Sequence, residues 1–186
     1  MGIITALYAL DATYMTGNPL TDVLDVINGY AEDTILTKPL VYEKLSLDKA
    51  YYDFTPFYRG IASYIPADVY RGGKQTNINY KGMDAGWWLK AERMWILQVA
   101  QAFWDGEDRE SPRPVTLTTS DLPEFFGYVE RAIEKRLANE AVWKMESGEP
   151  FTRDRVDYVY GHYKNAMTFL LNAHATGRTS IIQISA

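Results

Sequence analysis

Residues 121–177, DLPEFFGYVERAIEKRLANEAVWKMESGEPFTRDRVDYVYGHYKNAMTFLLNAHATG, contain the clearest structural pattern of the chain. Apolar residues recur every three or four positions on both sides of a Gly-Glu-Pro sequence at 148–150. This spacing predicts two long amphipathic helices joined by a short turn. The pair Asp121 and Glu124 predicts a capping box at the start of the first helix, and Thr152 is the expected N-cap of the second.

Two more helices are predicted nearer the amino terminus. In residues 18–33, NPLTDVLDVINGYAED, an Asn-Pro start precedes apolar residues at helical spacing. The Trp-rich stretch from Asp84 to Asp105 places its large apolar side chains on one arc of a helical wheel. The Tyr-rich residues 49–82 between them are interrupted by proline and by a Gly-Gly pair. For residues 49–82 we expect short helical turns followed by an irregular loop or a small hairpin.

The carboxyl-terminal residues RTSIIQISA, 178–186, are rich in β-branched side chains and favour an extended conformation. No local strand partner is evident, so this segment is expected to fray or to add to a sheet edge, including an edge on another chain. The residues nominated for such a contact are Arg178, Ile181, Ile182 and Ile184. The predicted fold is mainly α: one domain, 1–186, with about four main helices bundled over 18–177 and an extended arm at 178–186.

Composition narrows the functional classes. The chain has no cysteine, which removes disulfides, thiol catalysis and cysteine-ligated zinc. A formal net charge of −5 argues against general affinity for nucleic acid, which requires Lys and Arg. No apolar run reaches the roughly 20 residues that span a bilayer, and the amino terminus lacks the basic start of a signal peptide. The expectation is a protein without membrane association, made in the cytoplasm.

Motifs of catalysis are missing from the sequence. The histidines His162 and His174 do not have metal-site spacing, and no G-x-S-x-G sequence occurs. Residues 71–76, RGGKQT, resemble the end of a phosphate-binding loop, but Gln follows the lysine where Ser or Thr is required. The acidic run Glu107, Asp108 and Glu110 fits a solvated loop better than a pair of catalytic carboxylates. No catalytic, cofactor or metal site is therefore predicted.

Four polar residues fall on faces that helical periodicity assigns to the core: Glu92, Arg136, Glu140 and His174. An unpaired buried charge costs several kcal/mol, so these groups must be paired, neutralised or exposed. One interpretation is an internal network, for instance Arg136 with Glu92 or Glu140. A second is that helix ends extend past the core and present a mixed apolar and charged surface to a neighbouring subunit. A third is a catalytic cluster.

The helical pair resembles the head-to-tail connector (adaptor) proteins of tailed phages. The resemblance rests on a Leu-Pro-Glu helix start at 122–124 and on a first long helix rich in Ala, Arg and aromatic residues. It also includes spaced Tyr and an Ala-Met pair in the second helix. The residues concerned are Tyr128, Arg131, Ala132, Arg136, Ala141, Tyr160, Tyr163, Ala166 and Met167. The resemblance implies a ring of helical subunits beneath the portal, with the carboxyl-terminal arm reaching a neighbour.

The missing catalytic motifs and the unpartnered terminal strand favour a non-enzymatic assembly protein. The resemblance implies that this is a virion protein, a connector ring subunit that joins portal to tail proteins and lines the DNA conduit. An acidic wall would let DNA pass without specific binding. The high aromatic content, 14% of residues, suits subunit interfaces. The alternatives are a capsid or filament coat subunit and, in another class, a small helical enzyme or ligand-binding bundle with a pocket lined by Trp87, Trp88 and Trp95.

Overall fold

The computed structural model describes residues 4–15, 40–47, 51–64, 70–71, 74–75, 94–98 and 113–185. This part of the chain contains three α-helices, which are α1 (Tyr51–Ala62), α2 (Leu122–Ser147) and α3 (Arg153–Ala175). It also contains seven β-strands, which are β1 (Ile4–Leu10), β2 (Val41–Ser46), β3 (Tyr70–Arg71), β4 (Lys74–Gln75), β5 (Met94–Gln98), β6 (Arg113–Pro114) and β7 (Ser180–Ser185). A 3-10 turn, Ala12–Tyr14, follows β1.

Five of the strands form one sheet in the order β2-β1-β7-β5-β6. The strand β1 pairs antiparallel with β2 and β7, β7 pairs parallel with β5, and β6 lies antiparallel to β5. Leu7 and Ile182 face each other across β1 and β7, and Ile182 also lies opposite Ile96 of β5. The last strand of the chain is therefore the centre of the sheet.

The predicted helical pair is confirmed. Gly148 ends α2 in the left-handed conformation with φ 74°, where glycine is favoured because it has no Cβ. Thr152 caps α3, with its hydroxyl accepting from the Arg155 N–H. The capping box at Asp121 is wrong, because this carboxylate makes no bond to the first turn of α2. It accepts instead from the backbone N–H and hydroxyl of Thr118, at 2.8 and 2.6 Å.

The four-helix bundle is wrong, because the structure combines helices with a sheet. Residues 94–98, which lie inside the predicted helix Asp84–Asp105, form β5. A short apolar run such as MWILQ is compatible with a buried strand as well as with a buried helix, so periodicity does not separate the two. The helix predicted at 18–33 lies outside the described residues.

The extended conformation predicted for the carboxyl-terminal residues is confirmed, because residues 180–185 form a strand, but their assignment to an arm outside the fold is wrong. Residues 180–185 pair along both edges within their own chain, with β1 on one side and β5 on the other. Ile181 and Ile182 are adjacent and point to opposite faces of the sheet, and both are fully buried. A run that is apolar on both faces is typical of a central strand, because helices or other layers cover both sides. The sequence around this strand shows no partner for it, because its partner β1 lies more than 170 residues away. An unpaired arm was therefore predicted.

The Tyr-rich region was predicted only in part. The small hairpin is confirmed by β3 and β4, which pair through Tyr70 with Gln75 and Arg71 with Lys74. The expected short helical turns are replaced by α1, which continues past Pro56 for 12 residues in all. Pro56 is the sixth residue of this helix, where a proline normally removes a backbone hydrogen bond. The buried face of α1 offsets that cost through Phe54, Phe57 and Ile61.

The core lies between the helices and the sheet. α1 packs against α2, and α3 contacts β1 and β2. Aromatic rings join the first two helices through Phe57 and Phe125, whose ring centroids are 5.5 Å apart, and Phe57 also contacts Phe54 of its own helix at 5.2 Å. Such tilted pairs add to the free energy of area burial. In the described residues, no helix is both long enough and apolar enough to cross a membrane.

Candidate interaction site

The two long helices extend well beyond the core. On α2, the buried side chains run from Leu122 to Leu137 and stop there, although the helix continues to Ser147. On α3, they begin only at Val159. No residue from 138 to 158 is buried. We call residues 138–154 the hairpin tip and the remainder of α2 and α3, which covers the core, the hairpin base.

Large apolar side chains are exposed on the hairpin tip. Val142, Trp143 and Met145 are 50%, 58% and 74% exposed, within four consecutive positions of α2. Single exposed apolar residues are normal on any protein surface, but a cluster of them marks an interaction site. Trp and Met are also residue types enriched where proteins contact each other. The hairpin tip is therefore a candidate contact surface.

A cluster of charged side chains fixes the hairpin tip to the rest of the molecule. The guanidinium of Arg155 donates to Glu140 through Nε at 3.0 Å and to Asp53 through Nη1 at 2.8 Å, and its Nη2 bonds both carboxylates. Arg136 adds a second cation, with its Nε 3.6 Å from Asp53. The cluster thereby joins α1, α2 and α3 where the core ends.

The electrostatics of this cluster keep its central cation charged. Hydrogen bonds from Arg155 to Asp53, and then to Glu140, raise the pKa of the guanidinium above its ordinary value. The side chains of Asp53 and Glu140 are only 14% and 22% exposed, so solvent screens these contacts less than it screens a surface pair. An arginine shared by two carboxylates has a structural role in this position.

The turn at the end of the hairpin tip is held by local bonds. The N–H of Glu149 donates to the carbonyl of Lys144 at 2.8 Å, and the Lys144 ammonium lies 3.3 Å from the Glu149 carboxylate. These bonds satisfy carbonyl groups that the helix end leaves without partners. The exposed apolar side chains are thus presented on a defined backbone.

A groove of about 780 Å³ runs along the hairpin base between α2 and α3. Its walls include Gly127 and Glu130 from α2 and Gly161 and Lys164 from α3, and its floor includes Tyr163. The Tyr163 hydroxyl donates to the carbonyl of Phe126 at 2.9 Å. Burial raises the pKa of Tyr163 to about 12, with help from the negative charges of Glu130 and Glu134. The groove thus has a buried aromatic ring at its floor, and the carboxylates of Glu130 and Glu134 give that floor a negative electrostatic environment.

The structure brings some of the nominated polar residues together. Arg136 and Glu140 belong to the cluster of charged side chains, although their direct partners are Asp53 and Arg155. Sequence reasoning missed both partners, because Asp53 lies in the Tyr-rich region whose helix was not predicted. Arg155 lies three residues after the Thr152 cap and 15 residues after Glu140. The antiparallel arrangement of the two predicted helices therefore already places Arg155 near Glu140. Glu92 lies outside the described residues.

His174 is fixed by two backbone carbonyls. Its Nδ1 lies 2.9 Å from the Leu170 oxygen and its Nε2 lies 2.9 Å from the Leu117 oxygen. Both partners only accept, so the neutral ring donates to one of them and the doubly protonated ring to both. The histidine thereby joins the end of α3 to the loop before α2, which is a structural role.

The nominated carboxyl-terminal residues lie within their own fold. Ile181 and Ile182 are fully buried, and the backbone of Ile184 pairs with Thr5 and Gln98. The guanidinium of Arg178 lies 3.6 Å from the centre of the Tyr42 ring, an intramolecular cation–π contact. The buried side chains of Ile181 and Ile182 and the backbone pairing of Ile184 are thus internal contacts of this chain.

Other suggested sites remain without support or fall outside the described residues. Among the residues that the structure describes, no three His, Asp or Glu side chains are grouped so that they could hold a metal ion. Trp95 belongs to β5, whereas Trp87, Trp88 and the acidic run at 107–110 lie outside the described ranges.

Comparison of the chain with protein-family models, with curated proteins and with solved structures found no match. The chain is therefore classified by its structure, that is, by its fold and its exposed surface. It is an α/β protein in which a two-helix hairpin projects from a sheet-containing core and exposes apolar side chains at its tip.

Proposed function

We propose that this protein is a non-enzymatic assembly subunit that associates with other chains through its hairpin tip. The observation that carries the proposal is the exposure of Val142, Trp143 and Met145 on a segment with no buried residue. Keeping such side chains in water is unfavourable by roughly 25 cal/mol for each Å² of apolar surface. Covering them with another chain recovers part of that free energy.

The helical geometry adds support. A helix rises about 1.5 Å per residue, so the ten helical residues that follow Leu137 extend α2 by roughly 15 Å. Isolated short helices are marginal in water, and most helical stability in proteins comes from tertiary packing. Phe151 of the hairpin tip packs against the core within the single copy, whereas Val142, Trp143 and Met145 are exposed, and a partner chain would supply the packing for these three.

The particular form that we propose is a head-to-tail connector ring subunit of a tailed-phage virion, in contact with portal and tail proteins. The resemblance to that family lies in this hairpin. Since the last strand is internal to the sheet, the hairpin rather than a carboxyl-terminal arm would make the contacts between subunits. The net charge of −5 suits a conduit through which DNA passes without binding.

The first test is the mass of the purified full-length protein, measured by light scattering and by native mass spectrometry over a range of concentrations. We expect a homo-oligomer, and electron microscopy should show a closed ring. A filament or a shell would instead indicate a coat subunit. A monomer at all concentrations, also in the presence of portal and tail proteins, would refute the proposal.

The second test is a matched pair of charged substitutions. Trp143→Glu should abolish the oligomer, because it places a charge in the centre of the apolar contact. Tyr14→Glu is the control, because Tyr14 is 54% exposed and lies away from the hairpin tip. Tyr14 follows β1, and the N–H of Leu10 in β1 donates to the carbonyl of Thr179, which follows the end of α3 that is remote from the tip. The control should leave the mass unchanged. Equal masses for the two variants and the wild type would contradict a role of the hairpin tip.

A further inference from the structure

Gly127 in α2 and Gly161 in α3 lie inside helices, where no contact among the described residues of a single copy of the chain requires a glycine. A Cβ at Gly161 would meet nothing within 4 Å, and one at Gly127 would approach only the guanidinium end of Arg131, at 3.2 Å. By contrast, a Cβ at Gly60 would come within 2.8 Å of the Phe125 ring. A glycine inside a helix is unfavourable by roughly 0.5–1 kcal/mol relative to alanine. Gly60 is needed for internal packing, whereas Gly127 and Gly161 are not.

Gly127 and Gly161 share one location, on facing walls of the groove between α2 and α3. Glycine where nothing internal approaches is expected if the backbone of another chain lies close there. The groove lining on α3 repeats at helical spacing from Asp157 to Leu171, which spans roughly 21 Å at 1.5 Å per residue. A groove of this length suits a helix of several turns better than a small molecule.

The charges of the groove indicate what kind of helix fits. Glu130, Asp157 and Lys164 are part of its lining. Asp157 is paired with Arg153 at 3.5 Å and the Arg131 guanidinium lies beside Gly127, so Glu130 is the acidic lining residue that, among the described residues, comes closest to an unpaired charge on the α2 wall. Glu130 and Glu134 are also the carboxylates that raise the pKa of Tyr160, after burial. The floor of the groove therefore has negative surroundings, which favour a helix with apolar and basic side chains.

A helical surface with these properties lies on the other side of the same hairpin. Lys135, Asn139, Val142 and Trp143 are exposed and recur at helical spacing along α2. We call these four residues the outer stripe. At 100° per residue the outer stripe is centred roughly 135° around α2 from the midpoint between the groove-lining Gly127 and Glu130. One copy thus presents a groove on one side and a candidate occupant on the opposite side.

We propose that the outer stripe of one copy lies in the groove between α2 and α3 of the next copy. This inference rests on the proposed function and adds the two surfaces that meet. The apolar side chains of Val142 and Trp143 would cover the groove floor beside Gly127 and Gly161, and Lys135 would approach the acidic side chains. Each subunit then uses two different surfaces, a heterologous contact that gives a ring if the rotation closes and a filament if it does not.

The test uses one variant of each surface in the full-length protein. Trp143→Glu disables the outer stripe, and Gly161→Leu fills the groove. At a concentration where the wild type is monomeric, Gly161→Leu should have a thermal midpoint no lower than that of the wild type, because the site is open and leucine favours helix. Leu171→Glu is a second groove variant at a 45% exposed position, where a charge is tolerated in the monomer.

Each variant alone should be monomeric. A mixture of the Trp143→Glu chain with either groove variant should form a 1:1 heterodimer and nothing larger, because that mixture contains one intact groove and one intact outer stripe. Native mass spectrometry distinguishes the heterodimer from either homodimer by mass. A heterodimer with a dissociation constant at least tenfold lower than that of either variant alone supports the inference.

Other outcomes separate the inference from the function on which it rests. If the groove variants assemble like the wild type while Trp143→Glu does not, assembly through the hairpin tip stands and the groove is not its receptor. If the wild type forms only a dimer and mixing restores nothing, the outer stripe pairs with itself, and the inference is wrong. A wild type that is monomeric under all conditions overturns both.

Discussion

The hairpin base and the hairpin tip belong to the same two helices, yet their surroundings differ. In the base, α2 and α3 bury apolar side chains against α1 and the sheet, for example Val129 and Leu170. In the tip no side chain is buried, although residues 138–147 and 153–154 are helical. The helical conformation of a segment therefore does not indicate how much that segment contributes to the free energy of unfolding. Burial separates a structural region from one that is available to another chain.

The comparison is tested most strongly by truncating one aromatic residue in each region. Phe125→Ala should lower the free energy of unfolding by about 3–5 kcal/mol, because Phe125 is buried among Phe57, Phe126 and Tyr64. Trp143→Ala should change it by less than about 0.5 kcal/mol in the monomer. Urea denaturation at a concentration where the protein is monomeric measures both. Similar losses would show that the hairpin tip is part of the core.

The boundary between the two regions depends on the charged cluster. Arg155→Met should lower the free energy of unfolding by about 2 kcal/mol, because Asp53 and Glu140 then face each other without their shared cation. Arg153→Met is the control. Its pair with Asp157 is exposed, with Arg153 at 90%, and should contribute less than about 0.5 kcal/mol. Chemical denaturation of the two variants side by side distinguishes them, and equal effects would contradict a specific role for Arg155.

The groove floor should respond to alkaline pH. Tyr163 has a pKa of about 12 in the folded protein and the ordinary value of 10.0 when unfolded. The folded state therefore retains a proton that the unfolded state has lost between these values. The stability contribution is fully present below pH 10 and is lost as the pH rises from 10 to 12. At about 1.36 kcal/mol for each pKa unit, the loss is about 3 kcal/mol.

Comparing Tyr163→Phe with the wild type isolates this effect from the other tyrosines. The variant should be less stable by about 1 kcal/mol at pH 7, because the hydrogen bond to the Phe126 carbonyl is lost. Between pH 10 and 12 the difference should shrink or change sign. Parallel pH profiles of thermal stability for the two proteins would refute the assignment.

The smallest expected effects have opposite signs and come from two glycines. Gly60→Ala should destabilise by about 1 kcal/mol, because the new methyl group would meet the fully buried Phe125 ring, which has little room to move. Gly161→Ala should stabilise by roughly 0.5–1 kcal/mol, because the site is open and alanine favours helix. Thermal denaturation of the two monomeric variants measures the difference. A destabilised Gly161→Ala would show that the groove wall is packed within one copy.

Much of the hairpin could be predicted from the sequence, because its information is local. Apolar spacing, the Thr152 cap and the Gly148 turn act within a few residues of where they occur. The interface interpretation of the overshooting helix ends was also available from the sequence, and it stays a prediction. The partner of Arg136 was not available, since Asp53 lies 83 residues before Arg136, whereas Arg155, the partner of Glu140, lies within the predicted hairpin.

The sequence by itself determined the two long helices, their turn and the absence of cysteine chemistry, since these depend on residue identity and near-neighbour geometry. Only the tertiary structure decided that residues 180–185 are the central strand of a sheet and that residues 94–98 form its neighbour. A strand has no internal hydrogen bonds, so the same β-branched segment is a free arm or a core strand according to what lies beside it. Here that neighbour, β1, comes from the opposite end of the chain.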